Sequence, residues 1–270
     1  MVSDSSPPPR RTAHSPSELE TALANTLTAS ERHGPNVLFP EVDGQAFALF
    51  EKTLSVDREF LHISQDMYDL ENSFFLDLAR SQEWMSTKHM EVLMTYLGAK
   101  HAHVLAQENS SFVSPCYVML PGRTWLKEVH TVYAPMIWND VHWVGLAIHL
   151  GSRYVEVLDP FLSLYADRRL DTFMAPVVEM LPRLISKFCP AATQINTPFS
   201  YARMSKIYEN KRVGDCGPVA VKFMEMHAYV DPPPHLVGVT DAIMDDFGKT
   251  YAMELYRDLV VPIYFPPASP

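Results

Sequence analysis

Cys216 lies in the run Val213-Gly214-Asp215-Cys216-Gly217-Pro218, the stretch of this sequence best suited to nucleophilic chemistry. The run reads as a glycine turn, a cysteine and the start of a helix extending from Pro218 to about Tyr229. At a helix mouth, unpaired backbone N–H groups meet the positive end of the helix dipole. That setting favours thiolate, the form of cysteine that attacks carbonyls. Pro218 suits an early helical position, where its missing N–H costs nothing. Small cysteines are often plain core residues, so the reading gains content only if a histidine and a carboxylate reach the sulfur.

A second stretch supplies both. The apolar runs His142–Leu150 and Arg153–Asp159 flank Gly151-Ser152, which predicts a two-residue type II′ hairpin. In that register Asp159 faces Val144, and His142 faces Phe161. Residues 142 and 144 share one side of the strand, so His142 and Asp159 become diagonal neighbours on one face. Such neighbours lie about 7–8 Å apart at the backbone, within reach of an imidazole and a carboxylate. The aspartate would fix the ring tautomer and stabilise the imidazolium, and the histidine would take the proton from Cys216. The bland alternatives are a structural histidine, one of eleven in the chain, and an Asp159-Pro160 pair that merely ends a strand.

The elements that must hold these groups follow from pattern. Residues 1–14 are rich in Ser, Pro and Arg and read as disordered. Ser15-Pro16-Ser17-Glu18 resembles a capping box with proline at the first helical position. The short helix it opens carries Leu19, Ala22, Leu23, Thr26 and Leu27 and is stopped by Gly34-Pro35. Helices are predicted over 44–54, 66–79 and 86–97, the last ended by Gly98. Residues 112–120 read as extended, and residues 123–129 as a short helix. Ala134–Trp138 is β and precedes the turn pair Asn139-Asp140. Leu170–Phe188 is a helix bent at Pro176 and Pro182. Thr193–Met204 is loop or strand. Asp231-Pro232-Pro233-Pro234 breaks the Cys216 helix, and Thr240–Leu259 is the last helix, capped by Thr240 or Asp241. The VVPIYFPP segment is a closing strand or tail. The expected domains are a flanking segment over 1–40 and a catalytic domain over 41–265.

Composition narrows the function classes. A chain of 270 residues, 47% hydrophobic and 20% charged, can build one good-sized core. Its net charge of −10 argues against a nucleic-acid backbone as main partner. No apolar run spans a bilayer and no signal peptide opens the chain. Cys116, Cys189 and Cys216 form no CxxC pair. They suggest a reducing compartment, with neither a disulfide framework nor a zinc site. No cofactor or metal is called for, and a monomer is expected.

Taken together, HWVGLAIHL, VEVLDP and GDCGPVAVKFMEMHA resemble the catalytic core of the ubiquitin-like-protein-specific cysteine proteases, the SUMO-protease family. WMSTKHMEVLMTYLG is similar to that family's upstream helix. Residues 111–143, with LDPFLSLYADRR, resemble more narrowly the plant branch found within Mutator-like transposable elements. The resemblance covers about residues 60–230. It implies an α+β, papain-like (adenovirus-protease-like) fold, a central mixed or antiparallel sheet flanked by helices. It implies His142 as base, Asp159 as its orienter and Cys216 as nucleophile. Trp143 would pack beside the imidazole and narrow a channel for a Gly-Gly tail, although a plain hairpin core aromatic fits equally. The implied partner is SUMO or another ubiquitin-like protein, and the implied location is the nucleus or cytoplasm.

One position departs from the family pattern. A glutamine six or seven residues before the cysteine usually donates to the oxyanion. Here Glu209 or Asn210 occupies that place. An ionised Glu209 would repel the oxyanion, whereas Asn210 could donate. Loss of one such donor costs about 10²–10³ in rate. Asp215 reads as a helix-start or loop-holding residue rather than a second acid. The expected function is therefore a cysteine peptidase cleaving at the C-terminal Gly-Gly of a SUMO or ubiquitin-like modifier. The alternative is a weakened or inactive module that binds such proteins.

Overall fold

The structure is a computed structural model that describes residues 14–30, 39, 41–63, 68–115, 124–189, 197–229 and 238–266. The expectations for residues 1–13, Gly34-Pro35, Cys116 and Asp231–Pro234 fall outside that set.

The centre is a five-stranded mixed sheet of order β3-β4-β5-β6-β7. Its strands are β3 (Ser110–Phe112), β4 (Thr131–Trp138), β5 (His142–His149), β6 (Tyr154–Leu158) and β7 (Ser200–Arg203). The outer pairs β3–β4 and β6–β7 are parallel, and the inner pairs are antiparallel. A two-stranded ribbon, β1 (Leu61–His62) with β2 (Leu70–Glu71), stands apart. The helices are α1 (Glu18–Ala29), α2 (Gly44–Leu54), α3 (Asn72–Ala79), α4 (Thr87–Lys100), α5 (Ala102–Gln107), α6 (Asp167–Phe188), α7 (Cys216–Ala228), α8 (Asp241–Leu255) and α9 (Val261–Tyr264). A π-helical turn over Tyr256–Val260 joins the last two. None of the described helices is long and apolar enough to cross a membrane.

β5 is buried on both faces because both are covered. Trp143 and Ala147 face a core shared with α1, α4, α7 and α8. Val144, Leu146 and Ile148 face a second core closed by Leu170, Met174, Val178, Leu181 and Ile185 of α6. Gly145 lets α7 approach: a Cβ there would stand 2.7 Å from Met224 Cγ and 3.2 Å from the Ala220 carbonyl oxygen. Pro135 lies on β4 beyond the last residue paired with β3, so its missing N–H removes no ladder bond there.

The hairpin register is the expected one, since Gly145 pairs with Leu158 and His149 with Tyr154. Its turn differs. The ladder closes at His149–Tyr154, and the residue in the left-handed region is Arg153 (φ 55°), not Gly151. The connection is thus the wider four-residue kind.

Other boundaries also move. The capping box of α1 is Ser17 with Glu20, two residues later than expected. α3 begins only at Asn72, because Leu70–Glu71 pairs with β1. Gly98 lies inside α4, where an added Cβ would only graze Phe112, and His101 ends the helix instead. Residues 124–129 form turns rather than a helix. Leu126 has φ 67°, and its N–H donates to the Val129 carbonyl. Pro176 and Pro182 sit within α6, and Thr240 caps α8. The closing segment is helical at Val261–Tyr264, not a strand.

α7 is tied to its neighbours by a buried ionic cluster. Glu225 accepts from Lys222 Nζ at 2.6 Å and from Tyr251 Oη at 2.7 Å, and its other oxygen lies 2.7 Å from His101 Nε2. Lys222 also sits 4.1 Å from the Phe247 ring centre, a cation–π contact. Burial alone would raise the Glu225 pKa, but Lys222 and His101 outweigh it and hold the carboxyl well below its usual range. Removing one member leaves the rest buried and unpaired. Glu225→Ala is therefore expected to destabilise the fold by about 3–5 kcal/mol in urea unfolding. A loss under about 1 kcal/mol would show that the cluster is not paired as described.

Candidate active site

Cys216 is the first residue of α7 and is almost fully buried. Its approach is moulded by glycine. Gly214 has φ +92°, and a Cβ on it would stand 2.4 Å from the Gln82 carbonyl oxygen. A Cβ on Gly217 would stand 2.7 Å from Met85 Cβ. Asp215 reaches the same 82–85 segment, accepting from the Gln82 N–H at 2.7 Å. It makes no capping bond to α7 and is ion-paired with Arg212, whose other arm reaches Asp245. Asp215 thus holds a loop, one of the two roles its position allowed.

His142 is the first residue of β5, and Asp159 follows the end of β6. The ladder stops at Leu158, and the two side chains meet beyond it. His142 Nε2 lies 2.7 Å from Asp159 Oδ1, with both groups buried. The same carboxylate oxygen accepts from the Phe161 N–H at 2.9 Å, which fixes it at the turn. The ring also interacts with Cys216, and with Nε2 engaged by Asp159 the ring nitrogen left for sulfur is Nδ1. The backbone N–H of Trp143 donates to Cys216 Sγ at 3.4 Å. The structure therefore brings together the three residues singled out from the sequence, although they lie on three separate elements.

Burial alone would lower the His142 pKa. Hydrogen bonds to Asp159 and Cys216, with their charges, outweigh it and raise the value to about 9. At neutral pH the His142 ring is accordingly protonated on both nitrogens. Such a thiol–imidazole pair attacks a carbonyl through sulfur and returns the proton to a leaving amine.

The remaining predicted residues are placed as follows. Trp143 is buried, and its indole Nε1 donates to the Met85 carbonyl at 2.8 Å. The aromatic rings near His142 are Trp138 and Tyr165, 5.8 and 6.1 Å away between centres. The Glu209 carboxylate accepts from both the N–H and the hydroxyl of Ser163, and these bonds hold its pKa below the usual range. Asn210 is buried. Its Oδ1 accepts from the Arg212 N–H at 3.0 Å, its Nδ2 donates to the Arg212 carbonyl at 3.1 Å, and its own N–H donates to the Pro160 carbonyl at 2.7 Å.

Sequence reasoning missed Arg203. Its Nη1 stands 3.6 Å from Asp159 Oδ2, an oxygen without a hydrogen-bond partner. Arg203 is held there by the carbonyls of Leu162 and Tyr165, at 2.7 and 2.9 Å. It lies on a short strand whose pairing no local pattern discloses.

Comparison with known proteins now adds a family. Residues 83–263, more than half of the chain, match the model described as the Ulp1 protease family, C-terminal catalytic domain. The chain belongs to the Ulp1 protease family. The fold agrees. The structure of the Ulp1 protease domain in complex with SMT3, the yeast ortholog of SUMO, superposes with a TM-score of 0.60 at 13% identity. That match covers 83% of this chain and 99% of that one. The Ulp1-like SUMO protease catalytic domain of Chaetomium thermophilum gives 0.56 at 15% identity, covering 82% and 92% of the two chains. A Ulp1 whose catalytic cysteine is oxidised to a sulfonic acid gives 0.61 at 15%, covering 82% and 98%. Comparison with curated protein sequences gives no match. This Ulp1-family domain has the α+β architecture of a papain-like cysteine protease, as the sequence implied.

The raised His142 pKa has a measurable consequence in this Ulp1-family domain. An NMR titration of the His142 ring should show a midpoint of about 9. In Asp159→Asn the midpoint should fall toward the ordinary value of about 6.5. Because the folded value is raised, the stability it contributes is complete below about pH 6.5 and is lost as pH rises through about 9. A wild-type midpoint at or below 6.5 would contradict the pairing.

Proposed function

We propose that this chain is a thiol peptidase that cleaves after the C-terminal Gly-Gly of a SUMO-like modifier, in precursors or in isopeptide conjugates to lysine. The observation that carries the reading is the contact of His142 with both Asp159 and Cys216 at the mouth of α7. Family membership supports the peptidase class, and the likeness to a Ulp1 domain in complex with SMT3 supports the substrate class.

The mechanism follows from the groups present. Cys216 Sγ attacks the scissile carbonyl, forming a C–S bond while the carbonyl electrons move to oxygen. His142 gives its proton to the departing amine as the C–N bond breaks, leaving a thioester. Water then attacks with His142 Nδ1 as base, and the modifier leaves as a free carboxylate. Asp159 keeps the ring oriented throughout. We assign the oxyanion to the backbone N–H of Cys216 at the helix mouth and to the second hydrogen of Asn210 Nδ2. Glu209, drawn onto Ser163, supplies structure to that loop rather than a donor. Trp143 acts through Met85 and through its backbone N–H.

We further infer a catalytic domain over 41–265, a monomer in the nucleus or cytoplasm, and membership of the plant branch associated with Mutator-like elements. No metal or cofactor takes part in this chemistry.

A SUMO carrying a C-terminal electrophile should label the protein at Cys216, with no labelling in Cys216→Ala. Tight binding without labelling of the wild type would sink the peptidase reading. Asn210→Ala should lower kcat by about 10²–10³ with the His142 titration unchanged. Glu209→Gln should change kcat by less than about tenfold.

A further inference from the structure

β5 and α7 carry the base and the nucleophile at one end, and at the other end they meet again. His149 closes β5. Glu156 on β6 pairs with Ala147, so it sits diagonally from His149 on the face that α7 covers. The last turn of α7 places His227 over both. His227 Nε2 lies 2.9 Å from Glu156 Oε2, and His149 Nε2 lies 3.8 Å from Glu156 Oε1. One ligand atom from each of the three residues falls within 4.8 Å of the other two.

We propose that His149, Glu156 and His227 form a site for a first-row divalent cation of the zinc type, which clasps α7 to the β5–β6 hairpin. Two imidazoles and one carboxylate are a donor set that suits zinc and disfavours calcium or magnesium, which take oxygen ligands. Bonds of 2.0–2.1 Å in tetrahedral geometry put ligand atoms about 3.3 Å apart. The two His–Glu separations bracket that spacing, and no two of the three ligand atoms are more than 4.8 Å apart, so side-chain adjustments of about 1.5 Å or less would close the site. Three protein ligands leave a fourth position for water, and all three side chains are partly exposed.

The second shell supports the assignment. His227 Nδ1 lies 2.8 Å from Tyr133 Oη, and His149 Nδ1 lies 3.2 Å from Thr131 Oγ1. Both hydroxyls come from β4 and can accept from Nδ1–H, which turns both Nε2 lone pairs inward. Ligating histidines are oriented in this manner. The absence of a CxxC pair speaks against a thiolate centre, and this site uses no sulfur. The cluster sits at the far end of β5, about 23 Å along the strand from His142. A cation here would fix the register of helix on strand without touching substrate, and the proposal does not depend on the peptidase reading.

The test uses the full chain carrying Cys216→Ala, which removes the Cys216–His142 pair as a competing zinc ligand set. Cobalt titration should give a saturable visible d–d spectrum without a sulfur-to-metal charge-transfer band, and zinc should displace it. Zinc should also raise the Tm. His149→Gln and Glu156→Gln should each weaken binding by about 100-fold, and Tyr133→Phe by about tenfold or more. Circular dichroism of the metal-free variants establishes that they fold, and Tyr133→Phe keeps every ligand should either of the others fail. Affinity unchanged in all three variants, a thiolate band, or no rise in Tm with zinc would overturn the proposal.

Discussion

The close docking of α7 on β5 is the constraint on which the rest depends. A helix ordinarily stands off a sheet by the length of its side chains. Here Gly145 removes a side chain at the crossing, and Met224 and the Ala220 backbone fill the space. The approach at the helix mouth is equally tight, because Gly214 and Gly217 lie against Gln82 and Met85. Larger residues at any of these points would lift the helix. Sulfur and imidazole come from different elements, so a lift of even 1 Å would separate them. The Trp143 N–H to Cys216 bond and the Trp143 indole bond to Met85 join strand, helix and preceding loop into one unit.

That docking buries charge, and the structure shows how the cost is met. Asp159 has no exposed surface. An isolated ionised carboxylate there would be strongly disfavoured. It is compensated by His142, by the Phe161 N–H and by the nearby Arg203 guanidinium. Arg203 is itself held by two carbonyls, so its distance from Asp159 is set by the backbone after β6. The arrangement makes imidazolium the resting form of His142, whereas burial alone would make it neutral. The Glu225 cluster follows the same logic at the opposite side of α7. Both are buried anions whose partners arrive from other elements.

The local part of this design was legible in the sequence. The glycine turn before Cys216 and the apolar run after it marked a helix mouth. The lengths of the two strands on either side of Gly151-Ser152 fixed the register and therefore the diagonal between His142 and Asp159. What was not legible is nonlocal. Arg203 reaches the Asp159 carboxylate through a contact that no spacing encodes. The turn type failed because Gly151 did not take the positive φ that fell to Arg153. Gly98 failed as a helix stop because the Phe112 contact leaves room for α4 to continue. The final segment reads as a strand or tail, but the helical path of α8 carries on into it through the π turn.

Residues 209 and 210, neighbours in one loop, make different contacts. A carboxylate near a developing oxyanion is unfavourable only while its charge is free to act there. Ser163 captures Glu209 through two donors from the turn after Asp159, so the charge is spent on joining that turn to the loop before Cys216. Asn210, the neighbour, is buried and uses one amide hydrogen to shape residues 210–212. An amide nitrogen has two hydrogens. One of them holds the loop through the Arg212 carbonyl, and the other is not used in the bonds that shape residues 210–212. The Asn210 N–H bond to Pro160, the residue after Asp159, draws it toward the turn that orients His142.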